Sequence, residues 1–375
     1  MFPLSILLSK NSIRHVSRAV ARAVTALALC VGGVATAQIL TPQGYPGQCR
    51  LAHQEALAIQ HDGKQSLVLE ARYEFVTPQR PRTTQAYRAR APREPQVELQ
   101  PPDKLVWVLP VPPGCASLDA PSDTLFEELY DWLHPSIKAN YGLRTGRPTA
   151  FSRFGGSLFS PAAAAAPRGH APAWMVFPTS GEAALTSLVE WCSSNGMQGL
   201  DTESARDYAR RGWTFAIGTV ETPGLSGTLG PTHLVFPTPE IVFPLRFQAR
   251  AGTQDFTFYA VTAKDLSTRG LYTLRLSPLR GITRLSREGQ SRGYVTLASL
   301  AVPGALQAHL DSVRSGGLPG LPADSIRLYA WKAGSIPTPS RRTSTPAPDL
   351  VIPEKVAPAP RAGAAPRSTG TYRRR

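Results

Sequence analysis

Apolar and polar positions change period several times along the chain, and each change marks an element. Ala56 to Gln60 and Ser66 to Val76 are strand-like runs on either side of His61-Asp62-Gly63-Lys64. Asp-Gly at a turn centre supplies the positive φ angles of a tight hairpin, so two antiparallel strands are expected. Lys104 to Leu109 is almost continuously apolar and bounded by prolines, the pattern of a strand covered on both faces. The period then turns helical. Thr124-x-x-Glu127 forms a capping box for a helix to Leu133, with Leu125, Leu129 and Trp132 along one stripe and Phe126, Tyr130 and Leu133 widening it. A second box, Thr179-x-x-Glu182, opens a helix whose buried stripe is Leu185, Leu188, Val189 and Cys192 and which Gly196 stops. Thr202 can cap a third helix to Arg211. Period-two alternation returns at Trp213–Ile217, Leu234–Phe236, Leu245–Phe247 and Asp255–Ala263.

Strands, then helices, then strands predict an α+β fold with a mixed or mostly antiparallel sheet and two or three helices inserted mid-chain, rather than repeated βαβ winding. Two stretches interrupt the body: a Gln/Arg/Pro insertion near 78–102 and an Ala/Pro/Gly run near 160–173. Residues 38–333 read as one domain. Residues 334–375 are rich in Pro, Ser, Thr, Ala and Arg, too poor in apolar surface to offset the entropy of ordering, and are expected to be a disordered tail.

Residues 1–37 carry Lys10, Arg14, Arg18 and Arg22 ahead of an apolar stretch, Ala23 to Val34, that ends in Ala35-Thr36-Ala37. This is the pattern of a secretory signal cleaved before Gln38, and it implies export to a periplasmic or extracellular compartment. Two alternatives remain: cleavage at a lipidated Cys30, which the bulky Leu29 disfavours, and retention of the segment as an anchor. No later stretch approaches the roughly 20 apolar residues of a spanning helix.

The formal net charge is +15, and its location matters more than its size. Residues 332–375 contribute +7, residues 79–95 contribute +4 and residues 1–37 another +4, so the rest of the chain is neutral. A nucleic-acid interface would want its Lys and Arg interleaved with aromatics on one folded face, which this distribution does not provide. Arg341, Arg342, Arg373, Arg374 and Arg375 in the tail instead suit electrostatic contact with anionic cell-envelope polymer or an envelope protein.

The chemistry-bearing residues form no local signature. His53, His61, His134, His170, His233 and His309 make neither H-x-H nor H-E-x-x-H, and no two cysteines stand at Cys-x-x-Cys spacing, so no metal, cofactor or catalytic set is assigned. His53, His61 and Asp62 are the nearest cluster. Cys192 lies on an apolar stripe, which leaves Cys49 and Cys115 as the candidate disulfide in an oxidising compartment.

The ordered series of the Asp62-Gly63 hairpin, Trp107-Val108-Leu109-Pro110-Val111-Pro112, Leu125-Phe126-Glu127-Glu128-Leu129, the Leu185–Trp191 helix closing in Asn195-Gly196, Gly212-Trp213-Thr214-Phe215 and Pro239 to Arg246 resembles a bacterial exported family grouped as domain of unknown function 2330, over roughly 49–270. The resemblance implies an architecture and a compartment but no chemistry. Relatives often open with a Cys-Gly-Gly-Phe-Phe-Cys-like segment and end in a membrane-anchoring helix, where this chain has Gly47-Gln48-Cys49-Arg50 and a basic tail. The expected function is therefore a non-enzymatic envelope protein that binds or scaffolds. The alternative is a hydrolase or transferase whose acid and base meet only in the fold, drawn from Asp62, Glu74, Glu221, Asp255 and the histidines.

Overall fold

The computed structural model describes residues 38–77, 98–134, 173–244, 255–267, 271, 276–285, 293–333 and 350–353. The chain enters through β1 (Gln38–Pro42) and the long hairpin of β2 (Gln48–His61) and β3 (Lys64–Val76). Asp62 and Gly63 close that hairpin with φ of 46° and 71°, the two left-handed positions a two-residue loop requires. Next come β4 (Lys104–Val111), β5 (Ala116–Leu118), α1 (Leu125–Leu133), β6 (Ala173–Val176), α2 (Glu182–Ser194), β7 (Met197–Gln198) and α3 (Thr202–Ala209). β8 (Thr214–Glu221), β9 (Ser226–Pro237), β10 (Ile241–Phe243), β11 (Asp255–Thr262) and β12 (Ser277–Pro278) follow. The last elements are α4 (Arg280–Leu285), β13 (Tyr294–Thr296), α5 (Gly304–Ser315), β14 (Arg327–Ala333) and β15 (Leu350–Ile352).

These elements stack in four layers. An eight-stranded sheet runs β12-β14-β11-β2-β3-β9-β5 with β13 on β14, and a five-stranded sheet runs β6-β8-β4-β1-β7. Period-two alternation gives each sheet two apolar faces, and each face has its own cover. Between the sheets lie Leu67, Leu69 and Tyr73 of β3, Phe256 and Phe258 of β11, and Leu105, Trp107 and Leu109 of β4. On the outer face of the large sheet, Leu57, Ile59, Val68, Val261 and Leu328 pack under Leu125, Leu129, Leu306 and Leu310 of α1 and α5. On the outer face of the small sheet, Leu40, Val106, Val108 and Ile217 pack under Leu185, Leu188 and Tyr208 of α2 and α3. β4 is thus buried on both sides, as its unbroken apolar run requires.

The fold is α+β with mostly antiparallel sheets, and the three expected helices form. Their starts differ from expectation. Thr124 makes no capping bond to its own helix; its hydroxyl donates to the Glu128 carboxylate at 2.8 Å. α2 begins two residues after Thr179's box would place it, behind Gly181 at φ 66°, whose N–H donates to the Trp213 carbonyl at 2.9 Å. For α3 the cap is Asp201 rather than Thr202, with Oδ1 accepting from the Ser204 N–H at 3.3 Å and Oδ2 from its hydroxyl at 2.7 Å. Among the described residues two helices were not anticipated, α4 and α5. The tail also differs, because Leu350-Val351-Ile352 is an apolar triplet among prolines and pairs antiparallel with β10. Leu245–Phe247, most of the 78–102 insertion and nearly all of the 160–173 run lie outside the described residues.

Candidate functional site

A β-bulge aims the most chemically dense patch of the molecule. The β2–β3 register slips between Leu51 and His53. Before the slip, Cys49 and Leu51 face the inter-sheet core; beyond it that face is taken by Ala56 and Ala58. The extra residue thereby turns His53 and Glu55 to the outer face, in line with Leu57 and Ile59. There His53 stands opposite Arg72 on β3 and Asp255 on β11, and Glu55 stands opposite Glu70 and Thr257. The outer face is therefore apolar along most of its length under α1 and α5 and carries a polar set around Glu55, which is itself only 4% exposed beneath Tyr259 and the α1 residues Phe126 and Tyr130.

Glu55 is the centre of this patch. Its Oε1 accepts from the Tyr259 hydroxyl at 3.3 Å, and its Oε2 is 3.7 Å from His53 Nε2. Burial, reinforced by the Glu55 charge, pushes the Tyr259 phenol well above its ordinary pKa, so it stays protonated and serves as a donor. Tyr130 at the end of α1 is shifted upward by burial and then by the charges of Glu55 and Asp131, and its ring stacks on His134 at 4.3 Å between centroids. A carboxylate fixed by a phenol beside an imidazole can exchange a proton with a bound group. Among the described residues no three His, Cys, Asp or Glu side chains converge to hold a metal.

A second constellation lies wholly inside the outer apolar layer. Ser66 Oγ is 2.8 Å from His233 Nε2, and His233 Nδ1 is 3.3 Å from the Asp119 carbonyl. The carbonyl can only accept, so Nδ1 carries the proton and Nε2 accepts from the serine hydroxyl. His309 of α5 meets His233 edge-on at 4.9 Å, and its Nε2 has no partner among the described residues. Burial, and then its neighbour His233, lower the His309 pKa to about 3. Ser66 is fully buried, so this serine–imidazole pair is closed to a substrate.

The residues singled out from the sequence do not all meet. Cys49, Cys115 and Cys192 are free thiols. Cys49 pairs across to Phe75, whereas Ala116, next to Cys115, is linked through Val235 to Ser66. Phe75 and Ser66 are nine positions apart on β3, roughly 30 Å at strand rise, against the 4.4–6.8 Å between Cα atoms of a disulfide. The structure does not bring this pair together. Cys115 instead lines a cleft of about 240 Å³ with Phe177, Ser180 and Thr214, its pKa pushed up to about 12 by burial. His53 and His61 lie eight positions apart along β2, and His61 sits 3.2 Å from Asp62 at the hairpin tip. Glu74 is engaged by Arg50 at 2.7 Å. Of the expected acid–base pool, Asp255 and His53 become cross-strand neighbours, as His61 and Asp62 do at the hairpin tip and His233 and His309 in the outer apolar layer; Glu55 and Tyr259, which complete the patch around His53, carried no local signal because nothing in a strand's alternation marks a buried carboxylate. Arg341, Arg342, Arg373, Arg374 and Arg375 lie outside the described residues.

No protein-family model matches the chain. No curated protein matches it either. A solved structure, the crystal structure of baculovirus P35, aligns with 62% of this chain and 70% of its own at 9% identity and a TM-score of 0.33, a likeness too slight to bear on fold or function. Among the described residues no helix is long and apolar enough to cross a membrane.

Proposed function

We propose that the protein is an exported envelope protein that binds or scaffolds, with a four-layer body holding a basic C-terminal tail for anionic envelope material. The observation that carries this reading is the partition of charge: residues 332–375 hold nine Lys and Arg against two acids, while the chain outside 1–37, 79–95 and this segment is neutral. β15 adds a mechanical reason, since its pairing with β10 fastens the tail to the body and leaves Lys355, Arg361, Arg367 and Arg373–Arg375 beyond the attachment. The resemblance to the exported family of domain of unknown function 2330 and the cleavage before Gln38 belong to the same proposal. Gln38 is the first residue of β1, and its side-chain carbonyl accepts from the Asp201 N–H at 2.9 Å, so a mature chain beginning there would keep that residue engaged.

Co-sedimentation with envelope fragments tests this reading. Binding is expected at 0.1 M salt, where the Debye length is about 10 Å, and lost at 1 M, where it is about 3 Å. Deleting 354–375, which spares β15 but removes six of the nine basic residues of 332–375, should weaken it strongly. Salt-independent binding, or binding unchanged by the deletion, would take the tail out of the account. A second reading, hydrolase or transferase chemistry at the outer patch, is favoured by one observation, the approach of Glu55 to both His53 and Tyr259.

A further inference from the structure

The pairing of β1 with β7 covers only Thr41 with Gln198 and Pro42 with Met197, and a glutamine amide extends it at either end. At one end Gln198 Oε1 accepts from the Gly44 N–H at 3.4 Å while its Nε2 donates to the Tyr45 carbonyl at 3.2 Å. At the other, Gln38 Oε1 accepts from the Asp201 N–H at 2.9 Å while its Nε2 donates to the Gly199 carbonyl. Asp201 is the cap of α3, so this second amide fastens the start of β1 to the start of a helix. The Gln38 main chain is held separately, in register with Val108 of β4. Under the cleavage proposed above, Gln38 becomes an N-terminal glutamine, and such a residue can react with itself. Its α-amine attacks the side-chain Cδ, a C–N bond forms, the Cδ–Nε2 bond breaks, the attacking amine's proton goes to the departing nitrogen, and a pyroglutamate ring remains, lighter by one ammonia.

We propose that Gln38 is a modification site that the fold closes: the clamp on Gly199 and Asp201 withholds its side-chain amide from cyclisation, so the mature folded protein keeps an open N-terminal glutamine with a free α-amino group. Ring closure requires Cδ to curl back onto the residue's own nitrogen, and an amide held at both Oε1 and Nε2 by the β7–α3 loop must first release both bonds. Cyclisation would also leave the Gly199 carbonyl without its donor and draw the lactam oxygen away from the Asp201 N–H. The reaction therefore has its geometry only in a chain that has not yet folded. This inference rests on cleavage before Gln38 and is independent of the tail's charges.

Placing a protease site immediately ahead of Gln38 lets the full chain fold before cutting frees that residue. The cut protein is held at pH 8, where about half of α-amino groups are unprotonated, and its N-terminal peptide is followed by mass spectrometry for loss of ammonia. Loss from the native protein is expected to be at least about tenfold slower than from the same protein in urea or from a synthetic peptide spanning 38–45, since two hydrogen bonds must open first. Two variants separate the clamp from strand pairing in general. Asp201→Ala removes the α3 cap but keeps the N–H, and should leave the native rate unchanged; Asp201→Pro, compatible with the φ of −78° there, lacks the N–H and should speed it severalfold. Equal rates in native and urea-unfolded protein, or equal rates in the two variants, overturn the proposal. An N-terminus other than Gln38 on protein recovered from the producing cell overturns the cleavage reading, and the proposal falls with it; fast loss from the engineered cut overturns the clamp alone.

Discussion

His309 is neutral because ionising it would place a charge in the apolar layer under α5, next to His233, which burial also holds below its ordinary pKa. The groups facing it are the His233 ring, the Ser66 hydroxyl bonded to that ring and, behind the ring, Asp119, whose carbonyl and charge favour the His233 proton but are outweighed by burial. An imidazole whose folded pKa is lowered binds its proton first in the unfolded chain. Stability is therefore full above the unfolded value of about 6.5 and falls as pH drops toward about 3, at a slope approaching 1.4 kcal/mol per pH unit for this one group. Urea unfolding midpoints at pH 7, 5.5 and 4.5 should show this loss in the native chain and a shallower one in His309→Leu. Equal slopes in the two proteins would mean that the imidazole titrates in the fold as it does in water. Neither imidazole announced itself in the sequence. His309 does follow the spacing of Leu306, Leu310 and Val313, but a lone histidine on an apolar stripe says nothing of the second ring that a strand brings to it.

At the level of elements, α5 shows why some of the fold was legible and some was not. Its apolar stripe is readable, yet it begins at Pro303 with no side chain of its own to satisfy the first N–H groups. Glu128 of α1, 177 positions away, supplies the cap: Oε2 accepts from the Ala305 N–H at 2.9 Å while Oε1 accepts from Thr124. These two bonds hold the Glu128 pKa below its usual range. The sign follows: the contribution is present above the unfolded pKa and is lost as pH falls through the lower folded one. Glu128→Ala should cost about 1 kcal/mol, the usual worth of a cap, and should speed hydrogen exchange at the Ala305 amide without doing so in β4. Uniform exchange changes, or none, would show that the bond stabilises nothing. By contrast the β2–β3 turn was legible, because Asp62-Gly63 is a local device that needs no partner, although β2 reaches back to Gln48, eight residues before the expected Ala56, through a bulge the pattern did not show. The outer patch was not, since His53, Glu55, Asp255 and Tyr259 come from strands joined only by the β2–β11 pairing.

For the molecule as a whole, stability should concentrate where the two sheets meet. Trp107 is fully buried there, tilted against Trp174 with centroids 5.6 Å apart. Trp107→Ala should destabilise the fold by about 3–5 kcal/mol, because rigid layers on both sides cannot collapse into the space. Val189, expected on the buried stripe of α2, instead lies 39% exposed beside that stripe, where Ala184 joins Leu185, Leu188 and Cys192, so its substitutions should stay within about 0.5 kcal/mol. Chemical denaturation of both variants checks the contrast; similar costs would mean that the inter-sheet layer relaxes freely. The four-layer arrangement itself was only half readable. Period and burial reveal that β4 is covered twice, but which sheet lies behind it depends on pairings between distant strands.

The parallel pairing of β2 with β11 carries a consequence for how the chain comes off the ribosome. β2 and β3 can zip together as soon as the turn at Asp62-Gly63 emerges, but the strand that covers the other edge of β2 follows roughly 200 residues later. At about 5–20 residues per second that edge stays open for something like 10–40 s. Through that interval Ala56, Leu57, Ala58 and Ile59 form an apolar segment with unsatisfied main-chain groups, a template for joining another nascent chain. The first holdase to meet this polypeptide would be expected to grip it at β2.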